Sequence, residues 1–183
     1  IADNLAMRGM INNVTGLVSE PGAVRALGLQ NIRRIILVSA DGQAAQDRSW
    51  AEQRTVSSIG QILSLMSGTQ IDRYNFETLQ LARATLHEMA DAIRQARCSH
   101  APVIDGHPCG DVAAELVHIS LAEIPDETAR TTLQAIPTGL TIAPGDVDLL
   151  VRYGRELTMA APVLQALAAE FAGRAAGLPL AAR

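Results

Sequence analysis

Apolar residues recur at helical spacing along most of the chain, and residues 75–97 carry the longest uninterrupted pattern. The apolar positions, three and four residues apart, are Phe76, Leu79, Ala82, Leu86, Met89 and Ile93. Such a stripe predicts an amphipathic helix with one face against a core. Asn75 is a favourable N-cap, and Arg94 and Arg97 suit the negative end of the helix dipole. We therefore predict a central helix around which the rest of the chain packs.

Seven further segments show helical spacing or helix-end signals. They are residues 4–18, 23–29, 51–67, 111–121, 126–136, 146–156 and the segment that begins at Pro162. Gly68 suits a C-cap, and Asp126 and Asp146 suit N-caps. A β-branched run followed by an Asp-Gly turn predicts a strand. The predicted fold class is mainly α, a bundle of about seven or eight helices with at most one short strand near 34–39.

The length and composition limit both the domain organisation and the partners. A chain of 183 residues suits a single helical domain, 1–183, or a division into an N-terminal part, 1–70, and a C-terminal helical part, 71–183. The net charge of -4 gives no basic surface for nucleic acid, so we expect no such partner. All fifteen basic residues are Arg, which excludes a Schiff base on lysine. No apolar run approaches the roughly 20 residues of a membrane span.

Two Cys and two His within one Pro- and Gly-rich loop form the densest group of metal-ligand residue types. They are Cys98, His100, His107 and Cys109. Thiolate and imidazole together suit zinc, but the spacings differ from the usual Cys-x2-Cys pattern. A disulfide between the two Cys in an oxidising compartment is a second interpretation, and free thiols in a helix-helix connection are a third. We therefore predict no metal site and expect the chain to be cytoplasmic, or periplasmic or secreted if the Cys are bonded.

Two further groups of polar residues are candidates for a site. Asp111, Glu115 and His118 follow at helical-turn spacing and could share one helix face, although any solvated face gives the same spacing. Asn12 stands inside an otherwise apolar helix, where a buried amide needs partners. Arg8 lies one turn earlier. A small ligand held by Arg8 and Asn12 is one interpretation, and an exposed helix face is the other.

The C-terminal segments carry a family resemblance. The stretch TTLQ at 131–134, followed by VRYGREL at 151–157 and Pro162, resembles the helical C-terminal domain of ketopantoate reductases. Arg8 and Asn12 look like the lysine and asparagine of that family's hinge helix. Arg replaces the family's lysine, its glutamate would fall near Ile142, and its nucleotide-binding half has no counterpart. The resemblance implies that this chain binds no cofactor alone, and NADP only if a nucleotide-binding domain lies elsewhere.

Two functions follow, and whether the chain is an enzyme stays open. The resemblance implies a substrate-pocket and dimerisation domain of a reductase-like oxidoreductase, in which Arg8, Asn12 and Thr131 bind a small carboxylate without catalysing a reaction alone. The alternative is a non-enzymatic helical sensory or ligand-binding interaction module, which would be extracytoplasmic. Its segment 33–42 would form the strand and turn of a small-molecule receptor. Both interpretations expect a homodimer, and the second places its seam along the central helix.

Overall fold

The computed structural model describes residues 7–20, 22–42, 59–136 and 141–177, with side chains except at 59–70 and 174–177. These residues form a mostly helical structure, as predicted, with six α-helices and four short strands. The predicted helix count and the limit of one strand are both wrong for this part of the chain. None of the described helices combines the length and apolar character that a membrane crossing needs.

The chain divides into two compact units. The first unit comprises Ile1–Leu37 and Gln46–Leu116, and the second comprises Val38–Ala45 and Val117–Arg183. The boundary considered from sequence, at residue 70, falls instead inside a helix. Two of the strands, β1 (Arg34–Asp41) and β4 (Ala113–Ser120), pair with each other.

Strands β1 and β4 run in the same direction. The Ala113 amide donates a hydrogen bond to the Arg33 carbonyl at 2.9 Å. Further along, Ile35 shares one apolar cluster with Ala114, and Leu37 shares another with Leu116. Residue numbers therefore increase in the same direction along both strands, which defines a parallel pair. Parallel strands require a long crossover, and helix α3 (Ile59–Cys98) supplies it.

Helix α3 is one helix of 40 residues, where the sequence predicted two helices and a turn. The predicted C-cap, Gly68, lies inside it. A glycine in a helix interior costs only about 1 kcal/mol relative to alanine, and no proline interrupts the segment. Neighbouring helix formers offset that cost. Residues 51–58 of the predicted preceding helix lie outside the described residues.

The buried stripe of α3 differs in part from the predicted stripe. Ala82, Leu86 and Ile93 are buried as predicted, but Phe76 is 62% exposed. Asn75, which was predicted as an N-cap, is buried in mid-helix instead. Buried Thr78 accepts a hydrogen bond from α1 (Arg8–Ser19). Apolar periodicity could not reveal these polar core positions, because their burial depends on partners distant in sequence.

The first unit closes around α3 through short elements. Helix α1 leads through α2 (Ala23–Ala26) and the 3-10 turn Leu29–Asn31 into β1. After α3, strands β2 (Val103–Ile104) and β3 (His107–Pro108) form an antiparallel hairpin. Its turn residues, Asp105 and Gly106, have φ of 51° and 76°. Positive φ at both positions is the requirement of a type I′ turn, which Asp-Gly satisfies well.

Most of the segment 111–121 forms β4, from Ala113 to Ser120, so the predicted helix there is wrong. Ala, Glu and Leu favour helix locally, but β1 offers this segment a partner strand and α3 covers it with apolar side chains. Alternation along β4 places Glu115 on the face opposite Leu116 and His118. The proposed helix face of Asp111, Glu115 and His118 therefore does not exist.

The second unit builds its core from helices that follow β4. A 3-10 turn, Leu121–Glu123, precedes α4 (Glu127–Gln134), α5 (Pro144–Ala160) and α6 (Pro162–Gly177). The Asp126 side chain accepts a hydrogen bond from the Ala129 amide at 3.0 Å, which confirms the predicted cap. Ala143 rather than Asp146 caps α5, with Pro144 at the first helical position. The buried core residues are Leu121, Ile124, Leu133 and Tyr153.

Candidate functional site

Arg8 contacts neighbouring side chains within the first unit. Its Nε donates to Thr78 Oγ1 at 3.3 Å, and its guanidinium lies 4.0 Å from the centre of the Tyr74 ring. This cation over an aromatic face attaches α1 to α3. Asn12 is exposed on α1, which agrees with the interpretation of its side chain as part of an exposed helix face.

Thr131 lies in the second unit, exposed on α4. Its neighbour Thr132 donates a hydrogen bond back to the Thr128 carbonyl at 2.8 Å, as helix-surface threonines commonly do. The convergence of Arg8, Asn12 and Thr131 on one carboxylate stays a prediction.

Cys98 and Cys109 form a disulfide between the end of α3 and the end of the hairpin. A metal binds the thiolate form of cysteine, so a disulfide removes both sulfurs from the ligand set proposed with His100 and His107. Within the described ranges, no three residues of the His, Cys, Asp and Glu types are grouped to hold a metal ion. The disulfide interpretation therefore accounts for this loop.

Arg97 lies directly beside this disulfide and is buried, with only 1% of its surface exposed. Its Nε donates to the Cys109 carbonyl at 3.0 Å, and its Nη1 donates to the Gln30 carbonyl at 2.8 Å. The sequence placed Arg97 at the negative end of the helix dipole and gave no sign of these two long-range partners. Instead the guanidinium links three separate segments of the first unit.

A second group of charges surrounds Asp111, at the entry to β4. Arg33 and Arg34 both donate to its carboxylate, from Arg33 Nε at 3.1 Å and from Arg34 Nη1 at 2.8 Å. The hydrogen bond from Arg34, aided by Arg33, lowers the pKa of Asp111 below its ordinary value, while partial burial opposes the shift. His107 Nδ1 lies 3.8 Å from the same carboxylate. The group joins β1, β3 and β4 at their adjoining ends.

The carboxyl ends of β1 and β4 bring three polar side chains together in the second unit. Strand alternation puts Ser39 and Asp41 on one face of β1, because successive residues point to opposite sides. The parallel register places His118 of β4 beside them. His118 Nε2 lies 3.8 Å from Asp41 Oδ2, which is an ion-pair distance if the imidazole is protonated.

Two atoms of this group are buried without a hydrogen-bond partner among the described residues. They are Ser39 Oγ and His118 Nδ1, and Ser39 as a whole is only 6% exposed. A buried polar atom left unpaired costs roughly 1–3 kcal/mol, so native proteins usually pair such atoms with water, an ion or a ligand. We define Ser39, Asp41 and His118 as the strand-end group.

The sequence contained a partial signal for the strand-end group. Ser39 and Asp41 alternate with apolar residues at the end of a β-branched run, which is where a strand delivers polar side chains to one face. His118 was noticed, but on a predicted helix. Recognising β4 as the partner strand would have placed it beside Asp41.

Comparisons of this chain with protein-family models, curated proteins and solved structures found no match.

Proposed function

We propose that this chain is a non-enzymatic, extracytoplasmic ligand-binding module of a sensory kind, and that the strand-end group binds its ligand. The observation that carries the proposal is the pair of buried, unpartnered polar atoms on Ser39 and His118 beside the Asp41 carboxylate. Ligands of open parallel sheets commonly bind beyond the carboxyl ends of the strands. The strand-end group lies at that position.

The chemistry of the group favours a small primary ammonium compound. Such a cation carries three N–H donors and a positive charge. The group offers a carboxylate oxygen, a hydroxyl oxygen and, in one neutral tautomer of His118, an imidazole nitrogen as acceptors. A carboxylate accepts several hydrogen bonds, so Asp41 can receive the ligand in addition to its other contacts.

The disulfide supports the extracytoplasmic assignment. Disulfides persist in oxidising compartments and are rare where cytosolic reductants keep thiols reduced. Cys98 and Cys109 join the end of α3 to the hairpin, so the bond closes a local loop of the first unit. A structural role in a secreted or periplasmic module explains its position.

The reductase-like interpretation stays the rival proposal. It needs Arg8 to bind a small carboxylate, whereas the contacts of Arg8 with Thr78 and Tyr74 give that side chain a structural role. It also expects a continuous helical domain after residue 71, where β2, β3 and β4 interrupt the helices. These observations favour the module.

Calorimetric titration with methylammonium, ethanolamine and putrescine tests the proposed ligand class. We expect binding by the wild-type protein and loss of binding after Ser39→Ala and after Asp41→Asn. Ser39→Ala removes an unpaired hydroxyl, so it should leave the stability of the ligand-free protein unchanged or raise it. Tetramethylammonium has the charge but no N–H donor, and should not bind.

Thr131→Ala is the matched control, because Thr131 is an exposed hydroxyl of the second unit outside the strand-end group. It should bind ammonium compounds as the wild type does. The same titration with small 2-keto acids addresses the rival. Keto-acid binding that Arg8→Ala and Thr131→Ala abolish, without any ammonium binding, would reject the module and favour the reductase-like domain.

A further inference from the structure

The outward face of α5 carries apolar residues where a surface helix is normally polar. Tyr153 faces the core of the second unit. On the opposite side of the helix, at spacings of three and four, lie five exposed residues: Pro144, Asp148, Val151, Arg155 and Met159. Val151 is 65% exposed and Met159 is 68% exposed. We call these five residues the α5 stripe.

The order of residue types along the α5 stripe is self-complementary when two copies of the helix run antiparallel. Read in the opposite direction, apolar Met159 takes the place of apolar Pro144, and Arg155 takes the place of Asp148. Val151 stays near the centre. A two-fold symmetric interface requires this property, because residue i of one copy must suit residue j of the other and the reverse.

We propose that a second copy of this chain docks on the α5 stripe, with the two α5 helices antiparallel and a two-fold axis near Val151. Asp148 of each copy then faces Arg155 of the other, so the interface contains two equivalent ion pairs. The apolar residues Val151, Pro144 and Met159 lie between and beyond these pairs. A dimer seam along the central helix, now part of α3, was expected under the sensory-module interpretation, and the exposure pattern moves the seam to α5.

The charges of the α5 stripe are available for such a partner. Arg152, beside the stripe, pairs with Glu156 of its own helix at 3.0 Å. Asp148 and Arg155 are two helical turns apart, about 10 Å along the axis, which is too far for an ion pair within the helix. In the part of the chain that the structure describes, no salt bridge uses either of them.

The small extent of the α5 stripe sets the expected strength. It is about 22 Å long, at 1.5 Å per residue. Interfaces of this size fall among the small and transient ones, so the dimer should form in the micromolar range or above. This inference does not depend on the strand-end group, because the stripe and that group share no residue.

Sedimentation equilibrium of the whole chain between about 5 and 500 µM tests the inference, because association follows mass action. The wild type should dimerise. Asp148→Arg and Arg155→Asp should each weaken the dimer at least about tenfold, because each places like charges opposite one another twice. The double variant exchanges the two charges and should regain the wild-type association constant to within about threefold.

Arg73→Glu is the control, since it reverses an exposed charge on α3 in the first unit. It should dimerise as the wild type does. Thermal unfolding checks that each of the four variants folds, and all three substituted positions are on the surface. The proposal fails if the wild type stays monomeric over the whole range, if the double variant is as weak as the single ones, or if Arg73→Glu weakens the dimer equally.

Discussion

Arg97 Nη1 donates a hydrogen bond to the Gln30 carbonyl across 67 positions of sequence, at 2.8 Å. The same guanidinium reaches the Cys109 carbonyl through Nε. One buried side chain thus joins the end of α3 to the 3-10 turn before β1 and to the hairpin after α3. Carbonyl oxygens, including those at the negative end of a helix, are suitable surroundings for a buried guanidinium.

Replacing Arg97 with Met should destabilise the protein by about 2–4 kcal/mol, because two buried carbonyls lose charged donors. Met retains much of the side-chain volume, so the effect reports hydrogen bonds more than a cavity. Urea unfolding followed by circular dichroism measures the change. Arg83→Met, at an exposed position of the same helix, should change the free energy of unfolding by less than about 0.5 kcal/mol. Equal effects at the two positions would refute the linking role of Arg97.

Reducing the Cys98–Cys109 disulfide should lower the free energy of unfolding by about 3 kcal/mol, as the loop-entropy relation gives for residues 11 positions apart. Urea unfolding with and without dithiothreitol measures this difference. The variant with both Cys changed to Ser should have the same free energy of unfolding as the reduced protein, and dithiothreitol should not change it. A reductant effect that persists in that variant would show that the disulfide is not its cause.

The helices were more predictable from sequence than the strands. Local signals identify α4 and its Asp126 cap, because the cap and the residues that it serves lie within one turn. Strand β4 was predicted as a helix because its residues favour helix locally. Its partner β1 is more than seventy positions away. Pairing at that separation depends on α3 crossing between the strands, which no local window contains.

The candidate site depended on the same long-range contacts. Cys98 and Cys109 were recognised as a disulfide candidate because their chemistry is evident from residue type alone. His118 was noticed without its partner, since only the parallel register puts it near Asp41. Arg97 was predicted at a helix end but not as buried, because an apolar pattern assigns charged residues to the surface. An apolar pattern therefore cannot identify charged residues that are buried against backbone carbonyls.

Asp111→Asn should destabilise the protein by about 1–2 kcal/mol at neutral pH, because Arg33 and Arg34 lose their anionic acceptor. The pKa of Asp111 is lowered in the folded protein. Its contribution is therefore present above the unfolded pKa and is lost as the pH falls through the lowered folded value. Urea unfolding from pH 7 to 2 should show the gap between wild type and variant closing below about pH 4.

Asp91→Asn is the control for this pH series, because Asp91 pairs with Arg94 at a well exposed position of α3. Exposed pairs contribute little, so its stability should follow the wild type within about 0.5 kcal/mol at every pH. If the difference in unfolding free energy between wild type and Asp111→Asn keeps its size down to pH 2, the charge of Asp111 is not the source of its stabilising effect.

Arg8→Ala should destabilise the first unit by about 1–2 kcal/mol, because the side chain loses both the Tyr74 ring and the Thr78 hydroxyl. Arg8→Lys should lie between the wild type and Arg8→Ala, since Lys retains the cation over the ring but not the planar donor geometry. Asn12→Ala, one turn later on the exposed side of α1, should have an effect of less than about 0.5 kcal/mol. Thermal and urea unfolding measure all three. If Arg8→Ala instead leaves stability unchanged and abolishes binding of a small carboxylate, Arg8 is a ligand residue, as the reductase resemblance implies, rather than a link between α1 and α3.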